Sequence, residues 1–536
     1  MGRLAAVDML LVLLACASDA PSTVPVAPTP TPAARLADRP AEAVGPTLAV
    51  GGDVQLGRRT NAVVTRTGVA APLGEVTELA AADLAYVNLE CVAATGGEYR
   101  ADKGERGPYY YRTRPEHLEV LRSAGVDVVG TANNHAGDYG PPALLEQASL
   151  LDRMGLGHPG AGADRAAACA PVFRTVGDLV VAFYAVEATM VPFAATDRRA
   201  GTCYLDPERT EEWAAFAKAA VAESRDRAHL VMLGVHWGDN NVAAPTDPLR
   251  RAAHAVIGAG FDAILGSSAH LLHGVEVIEG RPVIYDAGNL LFDARSDTES
   301  AIFTLTLGPH GVRQVRVRPL HADFAVTRRP EAEAAAKILS TFADRSGALG
   351  TAVWTDGVEA VIPLPDAPAR PAPTVAVAAN PAPVPAVAAA APDADCLADE
   401  VPADARRPPV RVGPLTLVGA RVGPATMKKR EMVDVETWWT VDAPLPAPGV
   451  LLDVQARLVD GGPRWSGDHD GCDWTWPTDR WQPGQVYHDR YALRPVYNPG
   501  HGTYAVTVGI ADEPLKAGRD DVEIGRFEVR GSKKDD

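Results

Sequence analysis

The stretch VDVVGTANNHAGDYG, residues 126–140, runs out of an apolar strand directly into two asparagines, a histidine and an aspartate set among glycines. Asn133, Asn134, His135 and Asp138 are short polar groups that suit metal ligation, an acid with its orienting partner, or a simple polar turn. What separates these readings is whether other strands end the same way. "AVGGD" ends at Asp53, "YVNLE" at Asn88 and Glu90, "MLGVHWGD" at His236 and Asp239, "AILGSSAH" at His270, and "IYDAGN" at Asp286 and Asn289. In α/β sheets, groups just past the carboxyl ends of the strands converge on one crevice. Taken singly, each of these residues reads more readily as a helix cap, a turn residue or a structural histidine. Together, carboxylates, amides and imidazoles form the donor mix that holds a divalent cation such as Mn, Fe or Zn. Gly51, Gly52, Gly130, Gly238 and Gly266 flank the exits and permit close backbone approach, a weak signal alone.

Around these exits short apolar strands alternate with helix-like stretches such as "EEWAAFAKAAVAESR" and "LRRAAHAVIGAG", the pattern of a layered α/β domain over residues 46–363. "GVEVIEGRPVIYDAG" reads instead as a hairpin about Glu279-Gly280, so the sheet is expected to be mixed. Two Pro- and Ala-rich stretches, residues 17–45 and 364–409, lack apolar periodicity and read as linkers. Beyond the second, "VDVETWWTV", "VLLDVQARLVDGG" and "TYAVTVGIAD" have strand character and frequent turns, predicting a small β-sandwich over 410–531. Trp438, Trp439, Trp474, Trp476 and Trp481 lie there and would either fill its core or stack on sugars.

With 536 residues the chain exceeds one ordinary core, and its net charge of -17 disfavours nucleic acid as a partner. The start, "MGRLAAVDMLLVLLACAS", carries one arginine, a short apolar run and Leu13-Leu14-Ala15-Cys16, which is similar to a bacterial lipobox over residues 1–16. That reading predicts export with a lipid on Cys16 and anchorage to a membrane; a cleaved secretory signal, giving a periplasmic or extracellular protein, and a mis-set start or buried helix are the alternatives. No cysteine pair has CxxC spacing, so no zinc-cysteine site is suggested. In an oxidising compartment Cys169 with Cys203, and Cys396 with Cys472, are plausible disulfides, leaving Cys91 buried and free.

"GGDVQLGR", "NLE", "ANNHAGDYG", "VHWGDN", "GSSAHLLHGVEV" and "VIYDAGNLLFD" resemble, in order, the motifs of the CapA family of bacterial capsule-synthesis proteins, linked to poly-γ-glutamate. The resemblance implies a four-layer sandwich similar to calcineurin-like metallophosphoesterases. It implies Asp53, Glu90, Asn134, His236 and His270 as metal ligands, and His135 as a proton donor oriented by Asp138. One departure stands out: where the family pattern reads Gly-His-His-Pro-His, this chain has Gly266-Ser267-Ser268-Ala269-His270. Serine hydroxyls are poor ligands unless deprotonated, so of one or two metal subsites the second is expected to be weakened, His273 being a possible substitute. The leading expectation is an exported envelope protein that makes, releases or anchors a capsule polymer such as poly-γ-glutamate. The alternatives are a metal-dependent phosphoester or amide hydrolase, and a non-catalytic binder of envelope glycan or peptide with a degenerate site.

Overall fold

The computed structural model describes residues 35–105, 108–293, 298–381, 395–428, 431–461, 464–494, 500–514 and 519–530. The expected signal segment 1–16 with its Cys16, residues 17–34 of the first linker and 382–394 of the second lie outside the described residues.

Thr47–Val54 is the hub of a nine-stranded sheet, parallel to Leu84–Leu89 on one side and antiparallel to Thr298–Gly308 on the other. Leu84–Leu89 continues the parallel run into Val128–Gly130. A six-stranded sheet places Leu230–His236 between Leu179–Glu187 and Ala263–Ser267, all parallel. Val275–Ile278 and Arg281–Ile284 close that sheet as an antiparallel hairpin. Its turn residues Glu279 and Gly280 both have positive φ, 50° and 77°, as a two-residue hairpin turn of this hand requires. The fold is thus mixed α/β.

One buried cluster draws on both sheets, with Leu48, Val50 and Tyr86 from the first and Phe183, Met232 and Leu265 from the second. Helix Gly140–Met154 sends Leu150, Leu151 and Met154 into a second cluster with the first sheet. Helices Thr210–Ser224 and Asp247–Gly258 cover the six-stranded sheet. In the latter helix Leu249, Ala252, Ala253, Val256 and Ile257 are buried, one face at the three-to-four residue spacing of an amphipathic helix. Each fully buried leucine or valine there contributes on the order of 1.5–3 kcal/mol.

After residue 395 the chain forms two five-stranded sheets. Trp439 and Tyr487 from one, and Trp465, Tyr504 and Phe527 from the other, meet in a single cluster. Trp438, Trp439, Trp465, Trp474 and Trp481 are each 5% exposed or less, so these rings fill the interior and offer no sugar-stacking face.

Where the two Pro- and Ala-rich stretches are described, their ends make specific contacts with the folded regions. Leu36 N donates to Val353 O, Arg35 pairs with Asp344 at 2.7 Å, and Arg39 pairs with Glu359, so the end of the first stretch is packed down. In the second, Arg370 reaches buried Asp262 at 2.7 Å and Thr374 N donates to Asp226 O, while Arg406–Val412 is already a strand. Prolines fix an extended path, and these few polar anchors tie it to the surface. Disulfides join Cys169 to Cys203 and Cys396 to Cys472, and Cys91 is buried and free. Among the described residues no helix is long and apolar enough to cross a membrane.

Candidate metal centre

Asp53 stands at the end of its strand, fully buried. The strand's register shifts on both sides of it, between Val50 and Asp53 against one neighbour and between Asp53 and Val54 against the other. Irregularities of this kind re-aim a side chain. Gly52 permits the approach: a Cβ there would lie 1.8 Å from Gly288 O. Asp53 Oδ1 accepts from Asn88 Nδ2 at 2.7 Å and lies 3.7 Å from His236 Nδ1. Its Oδ2 accepts from Ser268 N at 3.1 Å and lies 3.6 Å from His270 Nδ1. The carboxylate therefore gathers donors from strands of both sheets. Burial works to raise its pKa, but His236, His270 and Asn88 bring it below the ordinary carboxylate value.

Asp53, Glu90 and His270 form a possible metal-ligand group, with one ligand atom from each within 4.8 Å of the others. Burial, then the charge of Asp53, pushes Glu90 well above the usual carboxylate range, and the same causes raise Asp286. Two carboxyls held together out of water repel one another's charge, a situation that a bound cation reverses. Glu90 Oε2 and Asn134 Oδ1 are buried without a hydrogen-bond partner among the described residues. A buried acceptor left unmatched costs about 1–3 kcal/mol, so two such oxygens beside this group fit a cation.

The Asn133–Asp138 loop is braced from within. Asn133 donates to Leu89 O at 2.8 Å and accepts from His135 N at 3.1 Å, which makes it a structural residue. His135 Nδ1 lies 2.6 Å from Asp138 Oδ2, and its Nε2 lies 3.7 Å from Glu90 Oε1. Asp138 also takes Tyr111 N at 2.7 Å and pairs with buried Lys103 at 2.7 Å. The Tyr111 ring stacks on the imidazole, centroids 3.8 Å apart. Burial first, then Lys103 and His236 against the opposing pull of Asp138, lowers His135 to about 3, so the ring is neutral at pH 7.

Asp53, Glu90, Asn134, His135, Asp138, His236 and His270 are thus brought to one place. Asp239 is exposed and contributes to the lining of a crevice of about 640 Å³ together with Asn134, Gly238 and Ser268. His273 does not substitute for the missing imidazoles: its Nε2 donates to Val242 O at 2.8 Å. The serines serve the framework instead. Ser267 Oγ lies 3.3 Å from His236 Nδ1, and Ser268, held at φ 112°, bonds Gly238 O at 3.1 Å. Lys103 and Tyr111 went unread in the sequence, because they sit in a loop with no periodicity and reach Asp138 and His135 only through tertiary folding. Asn289 carried a signal, a polar exit after "IYDAG"; its Oδ1 holds His270 Nδ1 at 2.9 Å.

Residues 47–294 match the family model for the bacterial capsule synthesis protein PGA_cap. Over that segment, a little under half of its length, the chain is similar to the CapA family of capsule-synthesis proteins. A probable polyglutamine synthesis accessory protein of Mycobacterium tuberculosis is 31% identical over 41% of this chain and 60% of its own length. The PGA biosynthesis protein CapA of Bacillus subtilis is 27% identical over 50% of this chain and 70% of its own, and the capsule biosynthesis protein CapA of Bacillus anthracis 25% over 51% and 67%. The matched part of the chain spans about 60% of the length of the mycobacterial protein. Every residue of the possible metal group lies within the matched segment.

Proposed function

We propose that this protein is a CapA-type exported envelope protein that takes part in the synthesis, release or anchoring of poly-γ-glutamate or a related capsule polymer, with a divalent cation in its crevice. The observation that carries the reading is the convergence of Asp53, Glu90 and His270 beside two unmatched buried oxygens, within the segment shared with capsule-synthesis proteins. Asp53, Glu90, Asn134, His236 and His270 would hold the ion, Mn, Fe or Zn, with one site stronger than the other because Ser267 and Ser268 stand where imidazoles are expected. When bound, such an ion supplies Lewis-acid polarisation of a carbonyl or phosphoryl oxygen.

The chain's own contribution is proton handling. With Nδ1 donating to Asp138, neutral His135 presents an unprotonated Nε2 to the crevice, so it takes up a proton before it can give one. Lys103 fixes Asp138, and Tyr111 holds the imidazole plane by stacking. This pairing favours a second reading, a metal-dependent hydrolase of phosphoester or amide bonds. The layered sheets are read as a metallophosphoesterase-like four-layer sandwich over 46–363, followed by a β-sandwich over 410–531. The leader is read as ending at a lipidated Cys16 that anchors the protein to a membrane.

Elemental analysis of the purified protein tests the reading: about one or two ions per chain, lost in Asp53→Ala and His236→Ala, are expected. Absence of any ion after incubation with Mn, Fe and Zn, together with unaltered surface polymer in a deletion strain, would sink it.

A further inference from the structure

A cleft of about 480 Å³ opens between the α/β region and the C-terminal sheets, away from the crevice over Asp53. Arg58, Arg59 and Arg100 line it from the first region, Arg464 and Arg494 from the second, against two aspartates, Asp468 and Asp473. On a chain of net charge -17 this is a local reversal of sign. The metal crevice itself is lined by Glu105, Glu208 and Asp239, without an arginine or lysine among the described residues. An anionic chain arriving at this protein is therefore repelled by most of its surface and drawn to the cleft.

Two of the five arginines are spent on close internal pairs. Arg59 is matched to Asp468 at 2.9 Å and Arg100 to Asp434 at 3.0 Å. Arg464 makes no ion pair among the described residues, and Arg58 reaches Asp293 only at 3.4 Å through Nε. Arg494 Nη1 is buried with no hydrogen-bond partner among the described residues. Burial lowers the pKa of the Arg494 guanidinium, the sign expected of a cation short of an anion. Arg58 and Arg494 both sit over the Tyr109 ring, 4.9 and 3.4 Å from its centroid, so their planes are held while Arg494 Nη1 remains to be matched. Arginine forks held in this way suit bidentate recognition of carboxylate.

The cleft exists only because the two regions dock. Arg114 and Asp470 form a fully buried ion pair across the junction, Asn61 Nδ2 donates to Trp474 O at 2.8 Å, and Arg480 pairs with Glu116 at 2.7 Å. It also lies close to the chemistry. Arg58 is 5.6 Å from the Tyr111 ring, whose face stacks on His135.

We infer that this cleft is a binding subsite for a carboxylate-bearing peptide chain, its pendant carboxylates received by Arg58, Arg464 and Arg494 and its methylene stretches lying on Tyr109 and the neighbouring aromatic rings. The inference rests on the polymer reading proposed above and adds to it a place, outside the metal crevice, where the polymer is held. The C-terminal sheets then serve as one wall of the subsite.

Calorimetric titration of the full chain with a γ-linked glutamate decamer tests this, with inorganic polyphosphate and a neutral oligosaccharide as alternative probes. Binding is expected to weaken tenfold or more in Arg494→Ala and in Arg464→Ala, to be partly restored in Arg494→Lys, to weaken with added salt, and to persist in Asp53→Ala. Unchanged binding in both arginine variants overturns the subsite. So does tighter binding of polyphosphate or of the neutral sugar. Decamer binding lost in Asp53→Ala but kept in Arg494→Ala moves the polymer to the metal crevice: the cleft is then refuted while the proposed function stands. No decamer binding at all, with metal retained, refutes the cleft without touching the metal centre.

Discussion

Replacing Lys103 by methionine tests the electrostatics of the candidate centre at its most sensitive point. The Lys103 side chain is 1% exposed and that of Asp138 is not exposed at all, their atoms 2.7 Å apart. Methionine keeps the length and apolar stem but removes the charge, leaving a buried carboxylate with His135 Nδ1 and Tyr111 N as its remaining partners. Removing one member of a buried pair costs about 3–5 kcal/mol, because the other is left uncompensated. Two surviving donors set the expectation at the lower end, about 3 kcal/mol, read as a shift of the denaturation midpoint in urea at constant slope. A second consequence has a definite sign. Lys103 is one of the charges that depress His135, so its removal raises the pKa of the imidazole from about 3, toward proton sharing with Asp138. NMR titration of the His135 ring reads that change directly. In the double variant Lys103→Met/Asp138→Asn, the loss of stability should be smaller than the sum of the single losses, because neither uncompensated charge remains. A loss below about 0.5 kcal/mol, or a downward shift of His135, would refute the claim that Lys103 and Asp138 form one dry unit with the histidine.

Two further expectations follow from the same physics. Asp470→Ala leaves Arg114 buried at the junction between the two regions with only Thr65 Oγ1 and Trp474 O as acceptors, and should cost about 3–5 kcal/mol in chemical denaturation; a loss under about 1 kcal/mol would mean that water reaches the guanidinium. Against the upward push of burial, hydrogen bonds from His254, Arg250 and Tyr285 hold Glu276 at about 2. Because that folded value lies below the unfolded one of 4.5, the stabilisation is complete above pH 4.5 and is lost as pH falls toward 2. The span corresponds to on the order of 3 kcal/mol, reduced by screening because His254 is 52% exposed. Glu276→Gln should therefore destabilise at pH 7 and converge with the parent near pH 2, and parallel stability curves across that range would count against the assignment.

Much of the centre was legible in the sequence because strand ends are local events. An apolar run that stops at Asp53, Glu90, His236 or His270 states both where the strand ends and what stands there, and parallel pairing carries those ends to one edge. The Glu279-Gly280 turn was equally readable, since a two-residue hairpin needs a special backbone at both positions. Lys103 was not readable. Its loop has no period, and its partner lies 35 positions away, so only the packed chain brings them together.

By itself, then, the sequence determined the alternation of strands and helices, the polar exits and the strand-rich C-terminal region, all set by periodicity, turn chemistry or residue type, and left the two cysteine pairs as plausible until the fold joined them. Tertiary structure alone decided that His273 turns away to Val242, that Ser267 and Ser268 brace the framework, and that Trp438, Trp439, Trp465, Trp474 and Trp481 face inward. It also decided that Leu36 and Thr374, within the two Pro- and Ala-rich stretches, bond to the folded region, and that arginines from distant parts of the chain meet in one cleft. The physical reason is common to these cases. Side-chain direction and long-range charge pairing depend on which surfaces are removed from water together, and no local pattern of residues encodes that choice.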